Sequence, residues 1–362
     1  MPTPLGWIGR GENDGDDVSR ETDAIPVDGG TTEAPDSGDD VSRETEYVPT
    51  FSTASTIAAG IEGDDDFADT PIARETQAIL QGRAAVRAGN WPRPKAPRVF
   101  VVANQKGGVG KTTSTVNLAA SLALNNLRVL VVDLDPQGNA STALGVEHRS
   151  GTTSVYDALV GNTPMLDMVK PASDIQRLFC IPATIDLAGA EIELVPMVAR
   201  ESRLKRALEP VLEKAEVDYI FIDCPPSLGL LTVNALVASS EVLIPIQCEY
   251  YALEGLGQLL HNIDMVKSHL NPELDVSTIL LTMYDGRTRL SSQVADEVRS
   301  HFGDRVLSTV VPRSVRISEA PSYAQTVMTY DPGSTGALSY LEAAREMAQR
   351  ADSLPTTPGP DQ

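Results

Sequence analysis

The chain predicts an α/β fold, a doubly wound and mostly parallel sheet with helices on both faces, preceded by an acidic tail that stands outside it. Three observations carry that expectation. From Val99 onward, short apolar runs alternate with longer segments of helical spacing, the pattern of parallel strands joined by covering helices. The first run, Val99-Phe100-Val101-Val102-Ala103, leads into the glycine-rich segment Lys106-Gly107-Gly108-Val109-Gly110-Lys111-Thr112-Thr113. From Met1 to Arg98 there are 19 Asp and Glu against 9 Lys and Arg, and such a polar stretch buries too little apolar surface to offset the entropy of ordering.

Three regions follow. Residues 1–97 form a disordered acidic tail, residues 98–352 the folded domain, and residues 353–362 a short flexible, Pro-containing end. Within the tail, Thr76 to Arg87 has the spacing of a short helix. Trp91-Pro92-Arg93-Pro94-Lys95-Ala96-Pro97-Arg98 is a basic, proline-rich linker, stiff or able to touch DNA. The tail also repeats itself: Gly15-Asp16-Asp17-Val18-Ser19-Arg20-Glu21-Thr22 recurs as Gly38-Asp39-Asp40-Val41-Ser42-Arg43-Glu44-Thr45, with a degraded copy at Ile72 to Thr76. The spacing is too irregular and the content too polar for a solenoid. Two readings stay open, a duplicated linear motif for a partner and a constraint on the coding DNA.

The 362 residues are 41% apolar, enough for one large core, and carry a formal charge of −21. That balance excludes a generally basic surface, so any DNA contact must be local. Cys180, Cys224 and Cys248 match neither a disulfide framework nor a zinc spacing and fit a reducing cytoplasm. Met1 to Arg10 lacks the apolar core of an export signal, and no run approaches the roughly 18 apolar residues of a spanning helix.

In chain order, Lys111 to Asn125 reads as a helix through Val116, Leu118, Ala119, Leu122 and Ala123. Arg128 to Asp133 is a buried strand that ends in Asp133-Leu134-Asp135-Pro136-Gln137-Gly138-Asn139. Thr152 to Leu208 reads as mainly helical, with a basic stripe of Arg200, Arg203, Lys205 and Arg206 that is best explained as a solvated face. Val217 to Asp223 is a third parallel-type strand, followed by Cys224-Pro225-Pro226-Ser227. Further strands are expected at Glu241–Ile246, Thr278–Met283 and Val306–Val311. Helices are expected near Leu230–Ser239, Leu253–His269, Ser291–His301 and Gly336–Arg350.

The glycine-rich segment is a P-loop by its context. Gly107, Gly108 and Gly110 admit backbone conformations closed to other residues and bring successive N–H groups against an anion, while the next helix adds its positive end. Lys111 would reach the β- and γ-phosphates and Thr112 would hold Mg²⁺. Two carboxylates, Asp133 and Asp135, end the next strand where water and metal belong in such sheets. Asp223 ends the third strand as a Walker B acid that assists Mg²⁺. The extra Lys106 has no evident phosphate to reach in its own subunit.

Lys106 and the loop it opens resemble the deviant Walker A box of the ParA/MinD family. From about Val99 to Ala351 the chain resembles the chromosomal ParA (Soj) proteins. The likeness includes Asn104-Gln105, Asp133 to Asn139, Asp223-Cys224-Pro225-Pro226-Ser227, Gln247-Cys248-Glu249-Tyr250-Tyr251-Ala252-Leu253-Glu254-Gly255 and Pro312 to Ser322. The resemblance implies an ATPase that uses ATP and Mg²⁺, with Lys106, Lys111 and Asp135 catalytic and Asp135 orienting the hydrolytic water near the metal. Residues 106–113 would bind the nucleotide, and Pro312 and Arg313 would line the adenine pocket. It further implies a homodimer with ATP in which Lys106 crosses to the partner's nucleotide. That dimer would hold non-specific double-stranded DNA through Arg287 and Arg316, and a ParB-type centromere-binding protein would trigger its release. A polar scaffold protein is a candidate partner for the tail, and the expected location is the cytoplasm, on the nucleoid. A MinD-like membrane ATPase is the rival reading; it needs a C-terminal amphipathic helix that Ala351 to Gln362 cannot form. A redox ATPase with a shared cluster needs paired cysteines that the chain does not offer.

Overall fold

A computed structural model describes residues 91–250 and 256–353. The acidic tail with its repeats, the Thr76–Arg87 helix, the start of the helix expected from Leu253 and the C-terminal tail lie outside the described residues.

The chain enters through Trp91 to Pro97, which has no regular structure, and passes into β1 (Arg98–Val102). Then follow α1 (Lys111–Leu124), β2 (Val129–Asp133), α2 (Asn139–Ala143), α3 (Val155–Leu159), β3 (Lys170–Pro171) and β4 (Leu178–Ile181). The middle of the chain gives α4 (Leu187–Leu194), α5 (Arg203–Lys214), β5 (Tyr219–Asp223), α6 (Leu230–Ala238), β6 (Glu241–Gln247) and α7 (Leu256–His269). The last part gives β7 (Asp275–Tyr284), α8 (Arg289–Phe302), β8 (Val306–Pro312), α9 (Val315–Glu319), α10 (Val327–Tyr330) and α11 (Thr335–Ser353).

The strands form one 8-stranded sheet in the order β3-β4-β2-β5-β1-β6-β7-β8, parallel except for the β3–β4 pair. β1 lies between β5 and β6, so the chain winds outward from it in both directions. The loop after β1 therefore sits where ligands bind in doubly wound sheets. Each central strand is buried along its whole length because both faces are covered. Val99 and Val101 face one apolar core with α6 and α7, whereas Phe100 and Val102 face the other with α1 and α11. On that second side Phe100, Tyr219 and Phe221 stack, and Arg98 lies 4.7 Å over the Phe100 ring while it pairs with Glu241. Helix α1 is buried along most of its length between the sheet and α11, which fixes the P-loop from behind.

One expected stretch differs. Thr152 to Leu208 is not mainly helical, because Leu178–Ile181 forms β4 beside β2 and extends the sheet. Around the basic stripe, residues 185–206 fall in two helices, α4 and the start of α5. The chain breaks after α4 at Val195-Pro196, where the proline cannot continue a helical ladder, and turns at Ala199, which has φ 53°. The basic stripe divides accordingly. Arg200 pairs with Glu201, Arg203 donates to the Leu159 carbonyl and Asn162, and Lys205 and Arg206 face solvent.

Candidate active site

The loop from Ala103 to Gly110 leaves the C-terminal end of β1 and is held from three sides. Asn104 Nδ2 donates to the Pro245 carbonyl at 2.8 Å, the Lys106 N–H donates to Asn104 Oδ1 at 3.0 Å, and Thr282 Oγ1 donates to the Val109 carbonyl at 2.8 Å. Val109 is buried, while Gly107 and Gly108 are exposed. Gly108 and Gly110 take φ of +73° and +90°, conformations that glycine adopts without the steric cost of a Cβ. A Cβ built on Gly107 or Gly108 meets nothing within 4 Å, so both face open space. Gly110 is the N-cap of α1 and has no side-chain cap, which leaves the first N–H groups of a 14-residue helix to an outside acceptor.

Lys111 opens α1. Burial pushes its ammonium below the ordinary value, against the pull of Asp223, Cys224 and Asp135, and Nζ reaches the Lys106 carbonyl at 3.4 Å. Such an amine is partly desolvated and short of anionic partners. Asp133 and Asp223 stand opposite each other as register partners at the ends of β2 and β5.

Those two acids are used differently. Asp133 is consumed by its own loop: Oδ1 accepts from the Asp135 N–H, and Oδ2 accepts from the Ser141 N–H at 2.8 Å and the Ser141 hydroxyl at 2.7 Å. Its burial raises the carboxyl to about 6 even so. Asp223 accepts from Thr115 Oγ1 at 3.1 Å on Oδ1, but its buried Oδ2 has no partner. Burial, then the neighbouring Asp133, pushes it up to about 8, with the Thr112 and Thr115 hydroxyls working against the rise. An unpaired buried carboxylate oxygen is costly unless a cation or proton meets it. Asp135 is 8% exposed and accepts the Gln137 N–H at 3.0 Å on one oxygen. Of the two acids after β2, Asp135 accepts one hydrogen bond where Asp133 accepts three.

The donor set fits a magnesium ion carried by phosphates. Among the described residues no group of three His, Cys, Asp or Glu side chains could hold a metal by itself. Mg²⁺ needs no such cage, since it keeps several waters and binds through one or two protein oxygens plus substrate phosphates. The Thr112 hydroxyl and the buried, unpartnered oxygen of Asp223 are oxygens of that kind. Gln105 Nε2 is a second buried polar atom without a partner at this loop.

Other residues singled out in the sequence gather at the same sheet edge. Pro312 ends β8, and the Arg313 N–H donates to the Tyr284 carbonyl at 3.3 Å, so the loops after β7 and β8 are tied together. Arg313 Nη2 lies 3.0 Å from Glu249 Oε1, and Lys106 Nζ lies 3.7 Å from Glu249 Oε2. Arg287 is 90% exposed and makes a two-pronged pair with Asp285, which holds that carboxyl down at about 2. Arg316, on α9, pairs with Glu319 at 3.3 Å and Asp331 at 3.4 Å. Both arginines are exposed and both have acidic neighbours, so phosphate would have to displace a carboxylate at each. Thr115 and Ser141, which dress the two buried acids, carry no signal in the sequence as single hydroxyls within helices. No described helix is long and apolar enough to cross a membrane.

Comparison with known proteins agrees with this geometry. A sequence family described as an AAA domain matches residues 97–276. The sporulation initiation inhibitor protein Soj of Bacillus subtilis is 57% identical over 251 residues, 69% of this chain and 98% of Soj. The chromosome partitioning protein ParA of Caulobacter vibrioides is 49% identical over 253 residues, 70% of this chain and 94% of that protein. Among solved structures, one titled cobyrinic acid a,c-diamide synthase of Mycobacterium smegmatis, with bound ATP analog and magnesium, is 38% identical over 69% of this chain and 93% of that one. Its TM-score is 0.59. The septum site-determining protein MinD of Pyrococcus horikoshii, complexed with Mg-ADP, is 25% identical over 68% of this chain and 94% of that one, with a TM-score of 0.54. With a P-loop, its strand-end acids and these relatives together, the chain belongs to the Soj/ParA family of chromosome-partitioning P-loop ATPases.

Proposed function

We propose that this chain hydrolyses ATP to drive partition of a chromosome or plasmid, cycling between a lone subunit and an ATP-bound sandwich dimer that holds DNA without sequence preference. The observation that carries the reading is the open space over Gly107 and Gly108 on a loop that runs into Lys111 and Thr112, together with the buried, unpartnered Asp223 Oδ2 at the end of β5. It is a cradle with the polarity of a phosphate on one side and of a cation on the other.

In this reading residues 106–113 hold the phosphates, Lys111 neutralises the β- and γ-phosphates, and Thr112 and Asp223 take the metal side. When bound, Mg²⁺ offsets the charge that develops on the transferring phosphoryl group. Asp135 orients the attacking water near the metal, and Asp133 keeps the Asp135 loop in place. Lys106 acts across the dimer on the partner's nucleotide. Pro312 and Arg313 border the adenine. Arg287 and Arg316, doubled in the dimer, meet DNA phosphates, and a ParB-type protein releases them by stimulating hydrolysis. Residues 1–97 and 353–362 stay outside this machinery, and the protein works in the cytoplasm on the nucleoid. The test is steady-state ATP turnover of the full chain alone, with non-specific duplex DNA, with a ParB-type protein, and with both. Turnover should be slow alone and rise severalfold with both present. No turnover under any of the four conditions would refute the assignment.

A further inference from the structure

The lysine that opens the loop is already engaged in the lone subunit. Lys106 Nζ lies 3.7 Å from Glu249 Oε2, and the two side chains are 37% and 44% exposed. The other oxygen of the same carboxylate, Oε1, accepts from Arg313 Nη2 at 3.0 Å and Gln247 Nε2 at 2.5 Å. Glu249 follows β6 and Arg313 follows β8, so one acid joins the loop after β1 to the ends of two other strands. The backbone of Lys106 is fixed by Asn104 at its N–H and by Lys111 at its carbonyl. What remains free to swing is the side chain.

We propose that Glu249 is a positioning residue that parks Lys106 in the lone subunit, and that Arg313 competes with Lys106 for its charge. The proposal rests on the reading that Lys106 crosses to a partner's nucleotide. Two cations share one carboxylate, so a closer approach of Arg313 weakens the hold on Lys106, and withdrawal of Arg313 strengthens it. This gives the bordering loop of the nucleotide site a direct line to the lysine that acts in trans. The pair is half-exposed, and such pairs are worth no more than about a two- to fivefold factor in an equilibrium. Parking therefore sets the threshold for dimerisation and does not forbid it.

The test uses Glu249→Gln, which keeps the shape and removes the charge, and Glu249→Asp, which keeps the charge, both in the full-length chain. In nucleotide-free protein, trace acetylation with an amine-reactive reagent is read by mass spectrometry on the Lys106 peptide. Labelling should rise about two- to fivefold in Glu249→Gln and return toward the parent level in Glu249→Asp. The second readout is the ATP concentration for half-maximal dimer by sedimentation, in an Asp135→Ala background that blocks turnover. It should fall by a similar factor per subunit in Glu249→Gln. Unchanged labelling in a chain that does dimerise overturns the proposal alone. A raised half-maximal ATP concentration also overturns it, because Glu249 would then guide Lys106 within the dimer. A parent chain that stays monomeric with ATP overturns the dimer reading and the parking role together.

Discussion

Substitution of Gly107 by alanine separates ligand binding from folding at the phosphate cradle. Gly107 has no positive φ, and a Cβ there meets nothing within 4 Å, so the folded chain has both the conformation and the room for alanine. Stability should stay within about 0.5 kcal/mol of the parent, as for surface changes that strain nothing. The same open space is where the phosphates are proposed to lie. A methyl group placed there moves the anion off at least one backbone N–H, and a hydrogen bond to a charged group is worth about 1.5–3 kcal/mol, or about 10- to 150-fold in Kd. Gly108→Ala adds a left-handed conformation, φ +73°, that costs a residue with a Cβ about 1–2 kcal/mol, so it should lose both stability and affinity. Gly303→Ala is the control: φ is +54° with open space around it, at the far end of the sheet from the P-loop, so it should lose stability alone. Urea unfolding supplies the stability, and titration with a fluorescent ATP analogue in Mg²⁺ supplies the affinity. Gly107→Ala and Gly108→Ala that bind ATP within twofold of the parent would show that the phosphates do not lie over this loop.

Other outcomes follow from the same geometry. Lys111→Ala should lose nucleotide binding, whereas Asp135→Ala should keep ATP and remain dimeric on DNA because, in the proposed reading, it lacks only the acid that orients water; equal ATP affinity and dimerisation in the two variants would remove that division of roles. Arg287→Glu and Arg316→Glu should each abolish ATP-dependent retention on non-specific DNA yet leave ATP-induced dimerisation intact, and unchanged binding across a salt series would assign both to their acidic neighbours Asp285, Glu319 and Asp331. Tyr340 on α11 meets Ser114 of α1 at 3.3 Å, so Tyr340→Phe should cost about 0.5–1.5 kcal/mol in urea unfolding. Burial raises that phenol to about 12, so its share of stability is present below about pH 10 and lost as pH rises through 12. The stability difference between the parent and Tyr340→Phe should therefore shrink over that interval, and a constant difference would place Tyr340 outside the titration.

What the sequence made legible was what local pattern encodes. β1, β2 and β5 are continuous apolar runs because both their faces are covered, and the acids that end β2 and β5 stand out against those runs. β4 is not legible because four residues, Leu178-Phe179-Cys180-Ile181, are too few to show a period and run straight into Pro182; their strand identity comes from β2 beside them. The unequal fates of Asp133 and Asp135 were likewise invisible. Both are aspartates two residues apart, and only the turn that brings Ser141 onto Asp133 gives Asp133 three hydrogen bonds where Asp135 accepts one. Glu249 is recognisable in sequence as part of a family segment, but its pairing with Lys106 and Arg313 depends on β1 lying beside β6 and on β8 standing one strand further on, beyond β7.

The repeat in the tail is the feature of this chain that the folded domain does not explain, and its two readings make opposite demands on the gene. Val-Ser-Arg-Glu-Thr can be encoded as GTT-TCA-CGT-GAA-AC followed by any base, and GTTTCACGTGAAAC is its own reverse complement. A two-fold symmetric DNA-binding dimer reads such sites. The sequence also resembles the centromere-like element recognised by the ParB partners of this family, so Val18–Thr22 and Val41–Thr45 would be binding sites carried through translation. A segment of polar, acidic composition tolerates the resulting peptide because it carries few apolar side chains for the peptide to displace. A duplicated peptide motif accounts better for the agreement beyond the palindrome, in the Gly-Asp-Asp that precedes each copy. Selection on the peptide leaves synonymous codons free, whereas selection on the DNA fixes them. The DNA-level reading expects GTTTCACGTGAAAC intact at both positions and a short duplex of each copy to bind the ParB-type protein. Synonymous codons that break the palindrome in both copies would sink it, and a tail peptide bearing Val-Ser-Arg-Glu-Thr would then be the bait with which to look for a protein partner.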